Sequence, residues 1–133
     1  LNPPAYSFER KHRLSRKTEI ERVIREGASV RDDLFIVLFS RNQISNSRIA
    51  VSVKRKLGNA VLRNRIRRYV KEIFRQSKDS YPKGYDILFI ARKELADSMK
   101  RGQVSFKEIW DSLNSLGKTV GDRRDEKSST GNH

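Results

Sequence analysis

Cysteine is absent from the 133 residues, which removes disulfides, zinc fingers and thiol chemistry together. Histidine is almost absent: only His12 and His133 occur, and no compact metal-ligand motif forms around either. Hydrophobic residues make up 35% of the chain, against roughly 45% in an ordinary globular protein with glycine counted. The longest wholly apolar run, Leu34 to Phe39, is far too short to span a membrane. The charged segment SFERKHR has no apolar stretch after it, so no signal peptide is expected and a soluble, cytoplasmic protein is the default. No Gly-rich phosphate loop and no nucleophile–base pair can be read, and Asp32-Asp33 reads as turn chemistry. Protein side chains are not expected to perform the catalysis, and no metal site can be assigned to them from the sequence.

Acidic residues are also scarce. Sixteen Asp and Glu face thirty Lys and Arg, for a net charge of +14. Solubility in a small domain needs a net charge of only about 2 to 8. An excess this large points to a polyanionic partner, because neutralising phosphates releases condensed counterions. Nucleic acid is therefore the expected partner, ahead of an acidic membrane or protein surface.

The length fits one domain. Residues 1–6, with Pro3 and Pro4, are expected to be irregular, residues 7–117 to fold as a single nucleic-acid-binding domain, and 118–133 to form a disordered polar tail. Within the domain, TEIERVIRE (18–26) places Ile20, Val23 and Ile24 on one helical face, with Ser15 or Thr18 as cap and Gly27 as stop. A strand follows from about Leu34 to Ser40, then a turn at NQISNS. RIAVSVKR alternates Ile49, Val51 and Val53 against Ala50, Ser52 and Lys54, as a half-buried strand does. After a long helix, DILFIA (86–91) reads as a third strand, 93–100 as a helical turn, and 104–116 as a last helix stopped by Gly117. The order α-β-β-α-β-α describes a small α/β (α+β) sandwich, one sheet with helices packed on it.

The long helix is the informative element. KRKLGNAVLRNRIRRYVKEIFR (54–75) carries nine Lys and Arg against one acid, Glu72. With Leu62 set to zero and about 100° per residue, Ile66, Tyr69, Val70 and Ile73 fall between about −20° and +80°. Asn64, Arg67, Arg68, Lys71 and Arg75 fall between about 140° and 240°, with Arg63 and Arg65 flanking the apolar stripe. A solvated helix face normally mixes signs, since like charges at i,i+4 cost a few tenths of a kcal/mol per pair. Arg63, Arg67, Lys71 and Arg75 stand at that spacing, so the face is read as polyanion-binding. Arginine forks suit phosphate oxygens. Asn64 reads equally as a base-edge or sugar contact or as a solvated residue, and Gly58 as a turn residue or a point of close RNA approach. Lys54, Arg55 and Lys56 extend the patch.

This segment resembles the signature of the protein subunit of bacterial ribonuclease P. The likeness continues through SFERKHRL, REGASV, FIVLF, RIAVSVKRK and ILFIARK, in the family's order, over about residues 7–116. It implies a ribonucleoprotein whose RNA is the catalyst and whose protein assists removal of the 5′ leader of precursor tRNA. Carried over by position, Arg55, Lys56, Arg63, Asn64, Arg65, Arg67, Arg68 and Lys71 would face the catalytic RNA. Phe8, Arg13, Ile20, Ile24, Ile36, Leu38, Lys56, Arg92 and Lys93 would line a cleft for the single-stranded leader. Magnesium (Mg2+) would be bound mainly by RNA and substrate.

The chain departs from the family in that cleft. Members often carry Phe where Ile20 and Ile24 stand, and an aromatic near Leu38, so aliphatic contact replaces much of the stacking. Core packing is an equal reading for Ile20 and Ile24. The resemblance also implies a left-handed β-α-β crossover around the basic helix, against the usual right-handed rule. The competing functions are a structural RNA-binding protein such as a ribosomal component, and a self-sufficient nuclease.

Overall fold

Alternation in the strands is what sorts this chain into layers. In the computed structural model, which describes residues 12–130 (the side chains of Lys78 and 124–130 apart), the elements are α1 (Lys17–Glu26), β1 (Ala28–Arg31), β2 (Phe35–Arg41), β3 (Arg48–Ser52), α2 (Ala60–Gln76), β4 (Tyr85–Ala91), α3 (Lys93–Lys100) and α4 (Phe106–Thr130). The four strands form one mixed sheet in the order β1-β2-β4-β3. β1 with β2 and β2 with β4 are antiparallel, and β3 with β4 is parallel. A parallel pair needs a crossover, and α2 supplies it. The α+β class expected from the sequence is the one observed.

Because successive side chains point to opposite faces, each strand contributes to two layers. Phe35, Val37 and Phe39 of β2 join Ile87 and Phe89 of β4 and Ile49 of β3 in the main core. That face is covered by Ile66, Val70, Ile73 and Phe74 of α2, Leu95 and Ala96 of α3, and Ile109, Leu113, Leu116 and Val120 of α4. The other face carries Leu38, Leu88, Ala50 and Ile90, against which Leu14, Ile20 and Val23 pack. α1 has only ten residues, about 15 Å of helix, so it covers part of this face and leaves the rest open.

An ionic network fastens α1 to the sheet. Asp86 is almost fully buried and takes Arg48 in two parallel bonds, from Nε to Oδ1 and Nη2 to Oδ2, each 2.8 Å. Asn42 Nδ2 donates to the same Oδ1 at 3.0 Å. Glu19 of α1 reaches Arg48 Nη2 at 2.9 Å. These hydrogen bonds, with Asp86 first, raise the Arg48 pKa above its ordinary value against the opposing effect of burial. The bidentate geometry is what makes such a pair strong.

Several expectations from the sequence are corrected. The Ala28–Arg31 segment is a strand, paired with Ile36–Phe39; four residues were too few to show a period. Residues 93–100 make a full helix, so the order becomes α-β-β-β-α-β-α-α. α1 is capped by Arg16 with no side-chain bond, so neither Ser15 nor Thr18 serves. Gly27 does end α1, in an extended conformation; a Cβ there would collide with the Val23 carbonyl and meet Phe39 O at 3.0 Å. Gly117 does not stop the last helix. A Cβ at Gly117 would lie 2.7 Å from Tyr81 Cε1 and 2.8 Å from Ser80 O, so the glycine admits close packing inside a helix. α4 continues to Thr130, through most of the segment expected to be a disordered tail, and buries Val120 on the way. Residues 1–6, Phe8 and His133 lie outside the described residues.

Two stability predictions follow from these contacts. Gly121, one turn beyond Gly117, has nothing within 4 Å of an added Cβ. Gly121→Ala should therefore gain up to about 1 kcal/mol from helix propensity. Gly117→Ala should lose that gain to overpacking of about 1–3 kcal/mol. Urea denaturation would decide, and equal stabilisation by both would refute the packing role of Gly117. Asp86→Ala should cost about 3 kcal/mol, the loss expected when one partner of a buried pair is removed. A loss below about 0.5 kcal/mol would make the pair no better than a surface one.

Candidate nucleic-acid interface

α2 starts where the sequence expects. Asn59 caps it, its Oδ1 accepting the Leu62 N–H at 2.9 Å. Gly58 is fully extended and packs under Leu62, so its local role is structural. The buried residues of the helix are Ile66, Val70, Ile73 and Phe74. They centre near about 65° on the projection, roughly 35° away from the stripe read from sequence. Phe74 causes the rotation: its ring lies among Tyr81, at 6.0 Å, and His12, at 6.1 Å.

That rotation redistributes the cations. Asn64, Arg65 and Arg68 become the exposed crest, and Arg65 and Arg68 have no ion pair or hydrogen bond among the described residues. Arg63, Arg67 and Lys71 fall on one flank and are half-buried. Arg63 Nε donates to Gly58 O at 3.2 Å, and Arg67 Nη1 to Asn64 Oδ1 at 3.1 Å. Arg75 leaves the face altogether. Its side chain is only 9% exposed, and its guanidinium pairs with Glu72, Nε to Oε2 at 3.0 Å. The single acid of the helix, three residues earlier, thereby engages its last arginine; the burial of that guanidinium is what spacing alone does not show.

Tertiary structure adds a cation to that flank. Lys71 has a pKa below its ordinary value, first through burial and then through the charges of Arg13 and Arg67. Arg13, exposed and bridged to Ile49, therefore acts electrostatically on α2, although the resemblance had assigned it to the cleft. Lys54, Arg55 and Lys56 are exposed on the turn that links β3 to α2. Together these groups form a cationic surface with no opposing carboxylate among the described residues of α2 except the engaged Glu72. Among the described residues, no cluster of three or more His, Asp or Glu could hold a metal ion.

The second candidate surface is the open sheet face. Ile36 and Leu38 lie on it, registered against Ile90 and Leu88, and all but Leu88 are half-buried. Ile20 packs into this layer from α1. Ile24 does not: it is 56% exposed, which removes the core reading for it. At one edge Arg92 is held by its Nη1, which donates to Asp32 O at 2.7 Å, and Lys93 is exposed beside it. Asp32 also receives Ser112 Oγ from α4 and the N–H groups of Leu34 and Phe35, each at 2.9 Å. This organising role is invisible in the sequence, where Asp32-Asp33 has the look of turn chemistry alone. Phe8 lies outside the described residues.

No helix among the described residues is long and apolar enough to cross a membrane. Comparison with known proteins gives the same assignment as the fold and charge. Residues 8–121 match the family model described as Ribonuclease P. The ribonuclease P protein component of Thermotoga petrophila is 40% identical over 114 residues, 86% of this chain and 96% of that protein. That of Bacillus cereus strain Q1 is 33% identical over 121 residues, 90% of this chain and all of its relative. The solved structure of the RNase P protein from Thermotoga maritima superposes with a TM-score of 0.76 at 39% identity, covering 81% of this chain and 96% of the other. On its fold, its Arg-Asn-Arg helix and these likenesses along most of its length, the chain belongs to the family of bacterial ribonuclease P protein subunits.

Proposed function

We propose that this subunit binds the catalytic RNA of ribonuclease P through α2 and the single-stranded 5′ leader of precursor tRNA through the open sheet face. In doing so it assists endonucleolytic removal of the leader by an active site made of RNA, in the cytoplasm. The observation that carries the reading is the crest of α2, where Asn64, Arg65 and Arg68 stand exposed with no carboxylate partner among the described residues. Repulsion along that row is relieved by phosphates, and the released counterions supply much of the affinity. Arg63, Arg67, Lys71, Arg55 and Lys56 broaden the contact. Lys71, its proton already weakened by burial and like charge, regains a favourable environment when a phosphate approaches.

The sheet face suits a different substrate element. Ile36, Leu38 and Ile20 offer an apolar floor, and Lys56, Arg92 and Lys93 offer cations at its edge. Aliphatic contact with bases and charge contact with phosphates give affinity without strict sequence reading. Ile24, open to solvent, extends that floor rather than the core. Magnesium bound by RNA phosphates and substrate would supply the Lewis acid and orient the attacking water; the protein's part is to hold RNA and leader in register.

Reconstitution tests the proposal. Adding the protein to a bacterial ribonuclease P RNA and precursor tRNA at low magnesium should increase leader cleavage. No increase would sink it, and cleavage by the protein alone would move the chemistry to protein. Arg68→Gln should lower the salt slope of RNA binding by about 0.7 to 0.9 for each phosphate that is no longer neutralised. Arg75→Gln should leave that slope unchanged, since Glu72 already neutralises Arg75. Equal slopes for the two variants would show that the crest faces elsewhere.

A further inference from the structure

Among the described residues, one aromatic side chain is left open beside the cationic crest. Phe106, the first residue of α4, is 38% exposed. The helix does not need it there. Ser105 and Glu108 form a reciprocal cap, with Ser105 Oγ accepting the Glu108 N–H at 3.2 Å and Glu108 Oε1 accepting the Ser105 N–H at 3.3 Å. Val104 already packs on the core at this end.

The Phe106 ring is nevertheless held in place. It meets Tyr69 of α2 edge-to-face, centroids 5.2 Å apart and planes at 84°, and Trp110 at 6.3 Å and 48°. Tyr69 and Trp110 are half-buried or nearly so and pack against the core. The result is a ring held by two aromatic neighbours while 38% of the residue stays exposed, preorganised before any ligand arrives. Tyr69 also fixes its position relative to the basic helix, because Arg65 stands one turn earlier on the same face of α2. The carboxylates in this region are occupied: Glu72 by Arg75 and by Gln76 at 2.6 Å, Glu108 by the cap, and Asp111 by Lys107 at 2.9 Å. Arg65 is exposed with no ion pair among the described residues.

We propose that Phe106 is a stacking platform for one unpaired nucleobase of the RNA that docks on α2, with Arg65 taking an adjoining phosphate. The inference rests on the assignment of α2 to RNA and adds a second kind of contact to it. Phosphate contacts fix position, whereas an aromatic face requires a base that is free of pairing. The partner at this corner is therefore a bulged or looped nucleotide, since a continuous duplex offers no open base face.

The test compares Phe106→Leu, which keeps apolar bulk without a π-face, with Phe106→Tyr, which keeps the face. Binding of the full chain to a bacterial ribonuclease P RNA is measured across a salt series, with thermal melting to verify folding. Phe106→Leu should weaken binding about 5- to 150-fold, the effect of removing one base–aromatic stack, with the salt slope unchanged because no charge is removed. Phe106→Tyr should bind like the unmodified chain. Trp110, the single tryptophan, should change its fluorescence on RNA addition, and less so in Phe106→Leu. If Phe106→Leu binds normally while Arg68→Gln lowers the slope, the platform is overturned and the α2 assignment stands. If the unmodified chain binds no such RNA, both fall. If Phe106→Leu disrupts self-association and leaves RNA affinity intact, the patch belongs to a second copy of this chain and the proposal is overturned.

Discussion

The seating of α2 across the parallel β3–β4 pair is the constraint on which the rest of the molecule depends. Ile66, Val70, Ile73 and Phe74 are each at most 3% exposed, and burying such side chains contributes about 1.5–3 kcal/mol apiece, as an upper estimate. Like-charge pairs along the helix cost only a few tenths of a kcal/mol each. The packing therefore outweighs the repulsion, and the crest can hold its charges unpaired. Were the helix less well seated, that row of arginines would favour its unfolding.

The two faces of the sheet divide the work. One is sealed by three helices and carries most of the apolar burial. The other is covered by the short α1 and remains partly open, so an apolar surface is available without weakening the main core. The Glu19–Arg48–Asp86–Asn42 network holds α1 at one end of this face. Opposite it, Asp32 ties the β1–β2 turn, α4 and Arg92 together. Polar networks thus set the borders of the open surface, and apolar side chains its floor.

Much of this was legible in the residues. The start of α2 could be read from Gly58-Asn59, because an N-cap is a local event. The alternation at Ile49, Val51 and Val53 marked β3, and LFIVLF marked β2. Four-residue β1 was not legible, since so short a stretch has no measurable period and is defined by its partner Phe39 to Ile36. Gly117 misleads for a related reason: a glycine's local preference favours a helix end, whereas here Tyr81 and the Ser80 carbonyl select it from outside the helix.

The candidate site shows the same division. The sequence by itself determined that one helix is apolar on one side and cationic on the other, because helical spacing is fixed by backbone geometry. It also determined the family, through ordered motifs along most of the chain. Only the tertiary structure decided which cations face outward. Phe74 rotates the buried stripe toward His12 and Tyr81, Glu72 withdraws Arg75, Arg13 joins Lys71 from a distant segment, and Ile24 is left in solvent while Ile20 packs. The Glu72–Arg75 pair is local, three residues apart on one helix; the other outcomes depend on neighbours from far along the chain, about which helical spacing carries no information.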